Sequence, residues 1–206
     1  MILKYDDHIS ITKEDCIASA ILAKPYAKDP LIDAFRLFDA KRSLIEYLLE
    51  PGNVEKKHVA GVSWLFSLIG FTVIPLALGN FDNRKDEKIP QTQPEYSSDI
   101  LLSDGVRIFV LDCTSSLPPR DKITRIRNTA GYIKKEIKKE SHNNVEVIPV
   151  IISSQDCSGS KQEDAKSSHV ALIDKNHIKD LHGLLLDGLK AEAMKLFDDI
   201  AMSYLQ

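Results

Sequence analysis

The sequence predicts an α/β protein built on a mixed β-sheet, and three features carry this prediction. Residues 99–102 and 106–114 are short apolar segments joined by a tight Ser103-Asp104-Gly105 turn, a pattern typical of a β-hairpin. Residues 119–139 then show a long helical pattern, and residues 145–153 a strong strand pattern. A strand, a helix and a second strand in this order indicate a right-handed crossover between parallel strands.

An N-terminal helical extension, residues 1–52, is expected to precede this α/β domain, residues 53–206. Residues 16–24 and 29–49 have helical patterns, and each pattern is ended by a proline. The extension carries no residues that indicate a particular chemistry. Its helices are a candidate surface for a homodimer or a larger complex.

The α/β domain is predicted to begin with a helix over residues 54–69, which Asn53 caps and Gly70 ends. The apolar residues 71–78 follow as a strand. Because Pro75 has no backbone N–H to donate, this strand is expected at an edge of the sheet or with irregular pairing.

Two polar stretches, residues 80–93 and 153–168, lack a periodic pattern and are predicted to be loops. A short strand over residues 169–173 follows the second of them. The domain then ends with helices at residues 175–186 and 190–204.

The composition sets limits on function and location. The chain has 27 Lys and Arg against 30 Asp and Glu, a net charge of −3, so nucleic-acid binding would depend on a local basic patch. The three cysteines lack metal-ligand spacing, which favours a reduced intracellular protein. There is no apolar run of membrane-spanning length and no signal peptide, so we expect a soluble, cytoplasmic protein without a membrane partner.

Two aspartates flank the predicted hairpin at one end. Along the second strand, Asp112 and Thr114 continue the row of side chains that includes Val110, so Asp112 ends an apolar stripe with a charge. Asp99 opens the first strand and would lie across the hairpin from Asp112. Two such carboxylates are typical ligands of Mg²⁺. The alternative is that each aspartate only begins or caps a strand.

The helix at residues 54–69 adds a third acidic candidate. Glu55 extends a stripe formed by Val59, Val62, Phe66 and Ile69, at helical spacings of four and three. It could therefore complete a metal site. Equally, an acidic residue in the first turn complements the helix dipole.

The helix after Asp112 is strongly basic. Residues 120–139 have a net charge of +6, and the basic residues in its first two turns are Arg120, Lys122, Arg125 and Arg127. A basic helix beside paired carboxylates suits a phosphodiester backbone. A solvated helix face is the competing explanation.

Together these segments resemble the restriction-endonuclease-like PD-(D/E)xK nuclease superfamily over residues 53–173. The resemblance lies in the order of the Glu55 helix, Ser98-Asp99-Ile100-Leu101, Val110-Leu111-Asp112-Cys113-Thr114, the basic helix and the strand at 147–152. It implies a restriction-endonuclease-like core, with a mixed sheet flanked by helices.

The resemblance also implies an activity, namely a Mg²⁺- or Mn²⁺-dependent endonuclease that hydrolyses DNA phosphodiester bonds in restriction, repair or defence. Asp99, Asp112 and Glu55 would be the metal ligands. The residues that would contact nucleic acid are Arg120, Lys122, Arg125 and Arg127.

Two positions depart from the family pattern. No proline directly precedes Asp99, and Thr114 stands where the family has a lysine that orients the attacking water. Lys122 is the natural replacement, and with Thr114 it would stabilise the site. Otherwise the domain is a catalytically inactive module for nucleic-acid binding or assembly, or a scaffold whose acidic residues are incidental.

Overall fold

The computed structural model describes residues 43–51, 55–76, 98–141 and 145–205 of the 206-residue chain. Most of the predicted N-terminal extension, the Asn53 cap and the loop at residues 80–93 lie outside these ranges, as does the side chain of Glu55.

The described residues form helices and strands in an alternating order. The helices are α1 (Ser43–Leu49), α2 (Glu55–Ile69), α3 (Arg120–Ser141), α4 (Ser160–Ser167), α5 (Lys175–Leu186) and α6 (Lys190–Ser203). The strands are β1 (Thr72–Pro75), β2 (Ile100–Ser103), β3 (Arg107–Thr114), β4 (Glu146–Ser153) and β5 (Ala171–Ile173).

The strands form one mixed sheet in the order β1-β2-β3-β4-β5. The pairs β1–β2 and β2–β3 are antiparallel, and the pairs β3–β4 and β4–β5 are parallel. Helix α3 connects the parallel strands β3 and β4 and packs against both of them. The predicted α/β class and the predicted change from hairpin to parallel pairing are therefore confirmed.

Local signals placed the ends of several elements correctly. Gly70 ends α2 with a φ of +117°, in the region that favours glycine, and the backbone N–H groups of Gly70 and Phe71 both donate to the carbonyl of Phe66. Strand β1 is the first strand of the sheet order, and Pro75 pairs there with Ile100. The edge position predicted from this proline is confirmed.

One predicted loop was wrong. Residues 153–168 contain helix α4, in which Ala165 is the buried residue. A helix with so little apolar surface gives no periodic signal in the sequence. Its attachment to α3 includes an ion pair between Arg120 and Asp164, and such a contact is visible only in three dimensions.

Strand β3 lies at the centre of the core. Every residue from Phe109 to Thr114 is buried, so both faces of its second half are covered. On one face, four aromatic rings from β3, α2, α6 and the α2–β1 connection pack edge to face with centroid separations of 4.7 to 5.8 Å. These rings are Phe66, Phe71, Phe109 and Phe197.

The turn between β2 and β3 sets the register of the hairpin. Asp104 Oδ1 accepts hydrogen bonds from the backbone N–H groups of Val106 and Arg107, at 2.8 and 2.7 Å, and Gly105 adopts a φ of +90°. The resulting register pairs Ile100 with Leu111. A slip by one residue would turn every side chain to the opposite face, so this turn determines which residues meet at the other end.

Candidate functional site

Asp99 and Asp112 meet at the end of the β2–β3 hairpin that lies opposite the turn. Continuing the register one step beyond Ile100 and Leu111 places Asp99 opposite Asp112. The Asp99 backbone N–H donates to the Leu111 carbonyl at 2.8 Å, and Asp99 Oδ2 accepts from the Cys113 backbone N–H at 2.7 Å. The structure therefore brings together the two carboxylates that the hairpin pattern suggested.

Asp112 is held by two cations from the first turns of α3. Its side chain is 5% exposed, and Lys122 Nζ lies 2.9 Å from Oδ1 while Arg125 Nη2 lies 3.1 Å from Oδ2. Lys122 Nζ also donates to the Cys113 carbonyl at 2.7 Å. Both oxygens of this buried carboxylate are thus engaged by positive charge, which is how a buried charge is stabilised in a protein.

The pKa of Asp99 is raised to about 7, first by burial and then by the negative charge of Asp112. The Cys113 N–H and the positive charge of Lys122 act in the opposite direction but do not cancel these effects. Folding therefore favours the protonated form of the Asp99 carboxyl group. Carboxyl groups with perturbed pKa values cluster at functional sites, although ion-pair networks that serve only the fold perturb pKa values as well.

In the described part of the chain, the side-chain hydroxyl of Thr114 contacts Ser116 and not a cation. It is buried, its Oγ1 lies 3.2 Å from Ser116 Oγ, and it accepts from the Ser116 backbone N–H at 3.3 Å. The positive charge at this end of β3 comes from Lys122 and Arg125. The chain reverses through Pro119, whose carbonyl accepts from the Lys122 N–H, and so the first turn of α3 folds back onto the end of β3.

Glu55 is the first residue of α2, and the position of its side chain lies outside the description. The rest of its predicted stripe is buried, namely Val59, Val62, Phe66 and Ile69. The role of this face of α2 as part of the core is therefore confirmed, whereas the role of Glu55 in a metal site stays a prediction.

A buried histidine on α2 was missed in the sequence. His58 is fully buried, and neither of its ring nitrogens has a hydrogen-bond partner of normal geometry in the part of the chain that the structure describes. Burial lowers its pKa to about 4. The charge of Lys122 acts in the same direction, so the imidazole lies within electrostatic reach of the aspartate pair's lysine. The available signal was its helical spacing to Val62, Leu65 and Ile69, which marks position 58 as inward-facing.

The four basic residues predicted to contact nucleic acid divide into two sets. Lys122 and Arg125 turn towards Asp112, whereas Arg120 and Arg127 are exposed. Arg120 pairs with Asp164 of α4 at 2.9 Å. This pair borders a polar cleft of about 320 Å³ between α3 and α4, which is lined by Arg120, Ile123, Thr124, Asp164, Ser167 and Ser168.

The donor types at Asp99 and Asp112 fit a hard divalent cation, because Mg²⁺ is commonly held by one or two carboxylates with water and phosphate oxygens completing the shell. Within the described ranges, no three His, Cys, Asp or Glu residues are grouped closely enough to hold a metal ion by themselves. Among the described residues, a cation here would use the carboxylates of Asp99 and Asp112, and it would compete with Lys122 or Arg125 for the oxygens of Asp112.

None of the helices in the described part of the chain is both long and apolar enough to cross a membrane. No protein-family model, curated protein or solved structure matches this chain. Its chemistry must therefore be inferred from the site itself.

Proposed function

We propose that this protein is a metal-dependent nuclease that hydrolyses DNA phosphodiester bonds. The observation that carries the proposal is the placement of a lysine nitrogen, Lys122 Nζ, 2.9 Å from one of two adjacent carboxylates, Asp99 and Asp112. A pair of carboxylates with a lysine beside it is the constellation expected from the sequence resemblance, except that the lysine comes from α3 and not from position 114.

The order of elements adds support. A helix, three strands in antiparallel succession, a helix and a parallel strand follow one another from α2 to β4. This is the order in which the resembling segments occur along the sequence. It brings the start of β2 next to the end of β3. We propose that this sheet and its helices are a restriction-endonuclease-like core.

Each residue has a proposed task. Asp99 and Asp112 would hold Mg²⁺ or Mn²⁺, and Glu55 would complete or orient the ligand shell. A divalent ion there would polarise the phosphate and lower the pKa of a bound water. Lys122 would stabilise the charge that develops on the phosphate, and Thr114 would stabilise this end of β3 through Ser116.

The basic residues of α3 would position the DNA. Arg127 and Arg120 are exposed on the first two turns, close in sequence to Lys122, so a backbone that reaches the aspartate pair would pass along this helix. Cations that contact phosphates supply affinity without reading sequence. A role in restriction, repair or defence would follow from the substrate that is cut.

The test is a cleavage assay on purified protein with single-stranded, duplex and branched DNA, in the presence and absence of Mg²⁺ or Mn²⁺. We expect metal-dependent cleavage that Asp112→Asn reduces by at least about 100-fold, since it removes a ligand charge from the site. Asp180→Asn, on the exposed face of α5, is the matched control and should cleave at the wild-type rate.

A second function is favoured by one observation, the full engagement of both Asp112 oxygens by Lys122 and Arg125. Such a neutralised carboxylate suits a catalytically inactive nuclease-fold protein that binds nucleic acid or serves as an assembly module. DNA binding without metal-dependent cleavage on any of the three substrates would establish this function in place of the first. Absence of both binding and cleavage would contradict both functions.

A further inference from the structure

The two cations that hold Asp112 are anchored very differently. The Lys122 side chain is 12% exposed, and its ammonium group has two acceptors, Asp112 Oδ1 and the Cys113 carbonyl. The Arg125 side chain is 35% exposed and reaches Asp112 through a single contact, from Nη2 to Oδ2 at 3.1 Å. Arg125 is therefore the more easily displaced of the two.

The guanidinium of Arg125 is also incompletely satisfied. Its Nε is buried and has no hydrogen-bond partner among the described residues, although an arginine carries five N–H donors in a planar fork. A carboxylate whose two oxygens are divided between two cations offers this fork only one oxygen. A phosphate presents several oxygens and matches the fork with two parallel hydrogen bonds.

A divalent cation and a guanidinium cannot both use Asp112 Oδ2, because the two positive charges would repel each other at short range. Lys122 is held by a second acceptor and can stay, whereas the side chain of Arg125 has no other hydrogen bond or ion pair with the described residues. On the basis of the proposed function, we propose that Arg125 is a displaceable positioning residue. It occupies Asp112 in the metal-free protein and moves to a DNA phosphate when a divalent cation binds.

The first measurement is Mn²⁺ affinity by isothermal titration calorimetry, without DNA. Arg125→Gln should bind Mn²⁺ about tenfold more tightly than wild type, because a competing unit charge is removed from a partly exposed position. Arg127→Gln loses the same charge from an exposed position on the same helix and should stay within about twofold of wild type.

Arg125→Met retains most of the apolar stem and protects the measurement against a glutamine variant that folds poorly. It too should tighten Mn²⁺ binding about tenfold, since it removes the same charge. Near-ultraviolet circular dichroism identifies which variants keep the native packing.

The second measurement is the salt dependence of binding to a short duplex with cleavage-resistant phosphorothioate linkages. Without Mn²⁺, Arg125→Gln and wild type should have the same slope of log K against log salt, since Arg125 is engaged by Asp112. With Mn²⁺, the magnitude of the slope should be smaller in Arg125→Gln by about 0.9, the value of one phosphate contact. Arg127→Gln should differ from wild type equally in both conditions.

The outcomes separate this inference from the proposed function. If wild type, Arg125→Gln and Arg125→Met bind Mn²⁺ with equal affinity, the displacement of Arg125 is wrong while a metal site remains. If the DNA slopes of wild type and Arg125→Gln differ equally with and without Mn²⁺, the transfer to phosphate is wrong. If no form of the protein binds Mn²⁺, the metal-dependent function fails, and the inference fails with it.

Discussion

Strand β3 carries a cluster of aspartate and arginine at each end, and the two clusters behave in opposite ways. At the end next to the β2–β3 turn, called the turn end below, one cation, Arg107, lies between two carboxylates, Asp104 and Asp198. At the other end, two cations lie on one carboxylate, Asp112, and a second carboxyl, Asp99, stands beside it.

The pKa values of the carboxyl groups at the two ends are also shifted in opposite directions. Burial acts to raise the pKa of Asp104, but the N–H groups of Arg107 and Val106 and the Arg107 guanidinium hold it below its usual value. Burial and the Asp112 charge raise the pKa of Asp99 to about 7. A carboxyl group whose charge is favoured on folding stabilises the turn, whereas one whose charge is disfavoured would be stabilised by an added positive charge. Ion-pair composition alone would not have distinguished the two ends.

The largest expected effect is on stability at the Asp112 end. Asp112→Ala should lower the free energy of unfolding by about 3 kcal/mol, because it leaves the mostly buried Lys122 without its carboxylate. Urea denaturation at pH 7 measures this. A loss below about 1 kcal/mol would mean that water already compensates Lys122 for the loss of the carboxylate, and the contrast with the turn end would disappear.

The next effect is on the proposed cleavage activity. Lys122→Gln should reduce metal-dependent cleavage about 100-fold, since it removes the charge proposed to stabilise the phosphate. Adding Thr114→Lys to this variant should restore part of the rate, because position 114 lies two residues from Asp112 on the same strand face. Wild-type cleavage by Lys122→Gln would show that Lys122 has only a structural role, like Arg107.

The free energy of unfolding should depend on pH through the protonation of Asp99. Because its folded-state pKa of about 7 lies above the unfolded value, the folded protein binds more protons between about pH 4 and pH 7. Stability should therefore fall as the pH rises through this window and level off above it. Asp99→Asn should remove this fall and be more stable than wild type at pH 8, by on the order of 2 kcal/mol.

Urea denaturation at pH 5 and pH 8 provides the measurement for Asp99. The difference between wild type and Asp99→Asn should change between the two pH values. A difference that is the same at both would mean that Asp99 is ionised throughout, as Asp104 is.

The smallest effect, on the free energy of unfolding, is expected at the turn end. Asp104→Asn should lower the free energy of unfolding by about 1 kcal/mol, the usual range for weakening hydrogen bonds to a charged group. The pKa of Asp104 is lowered on folding, so its contribution is present above its unfolded-state pKa and is lost as the pH falls. Cleavage should be unchanged. A loss of cleavage with native stability would place this end in the functional site as well.

Much of the fold could be predicted because its signals are local. The turn at Ser103-Asp104-Gly105, the stop at Gly70 and the edge position of Pro75 each depend on the conformational preferences of one to three residues. The central strand was predicted from its run of apolar residues, and the amphipathic helices were predicted from their periodicity. Helix α4 was missed because its polar residues carry no such periodicity.

The sequence by itself placed Asp99 and Asp112 at the same end of the hairpin, since each lies at the end of its strand away from the Ser103-Asp104-Gly105 turn. The residue that lies opposite Asp99 depends on the register, which the hydrogen bonds to Asp104 set in the folded turn. The sequence also predicted that Lys122 replaces the lysine that the resemblance implies at position 114. Both predictions concern residues that lie close together in the sequence, and they follow from the regular geometry of strands and helices.

Only the tertiary structure decided which charges are used at the site and which are not. Lys122 and Arg125 share Asp112, Arg120 is bound by Asp164 some 44 residues away, and His58 from α2 lies within electrostatic reach of Lys122. These contacts depend on how α2, α3 and α4 dock on the sheet. That docking is set by the packing of the whole core, which no local pattern encodes.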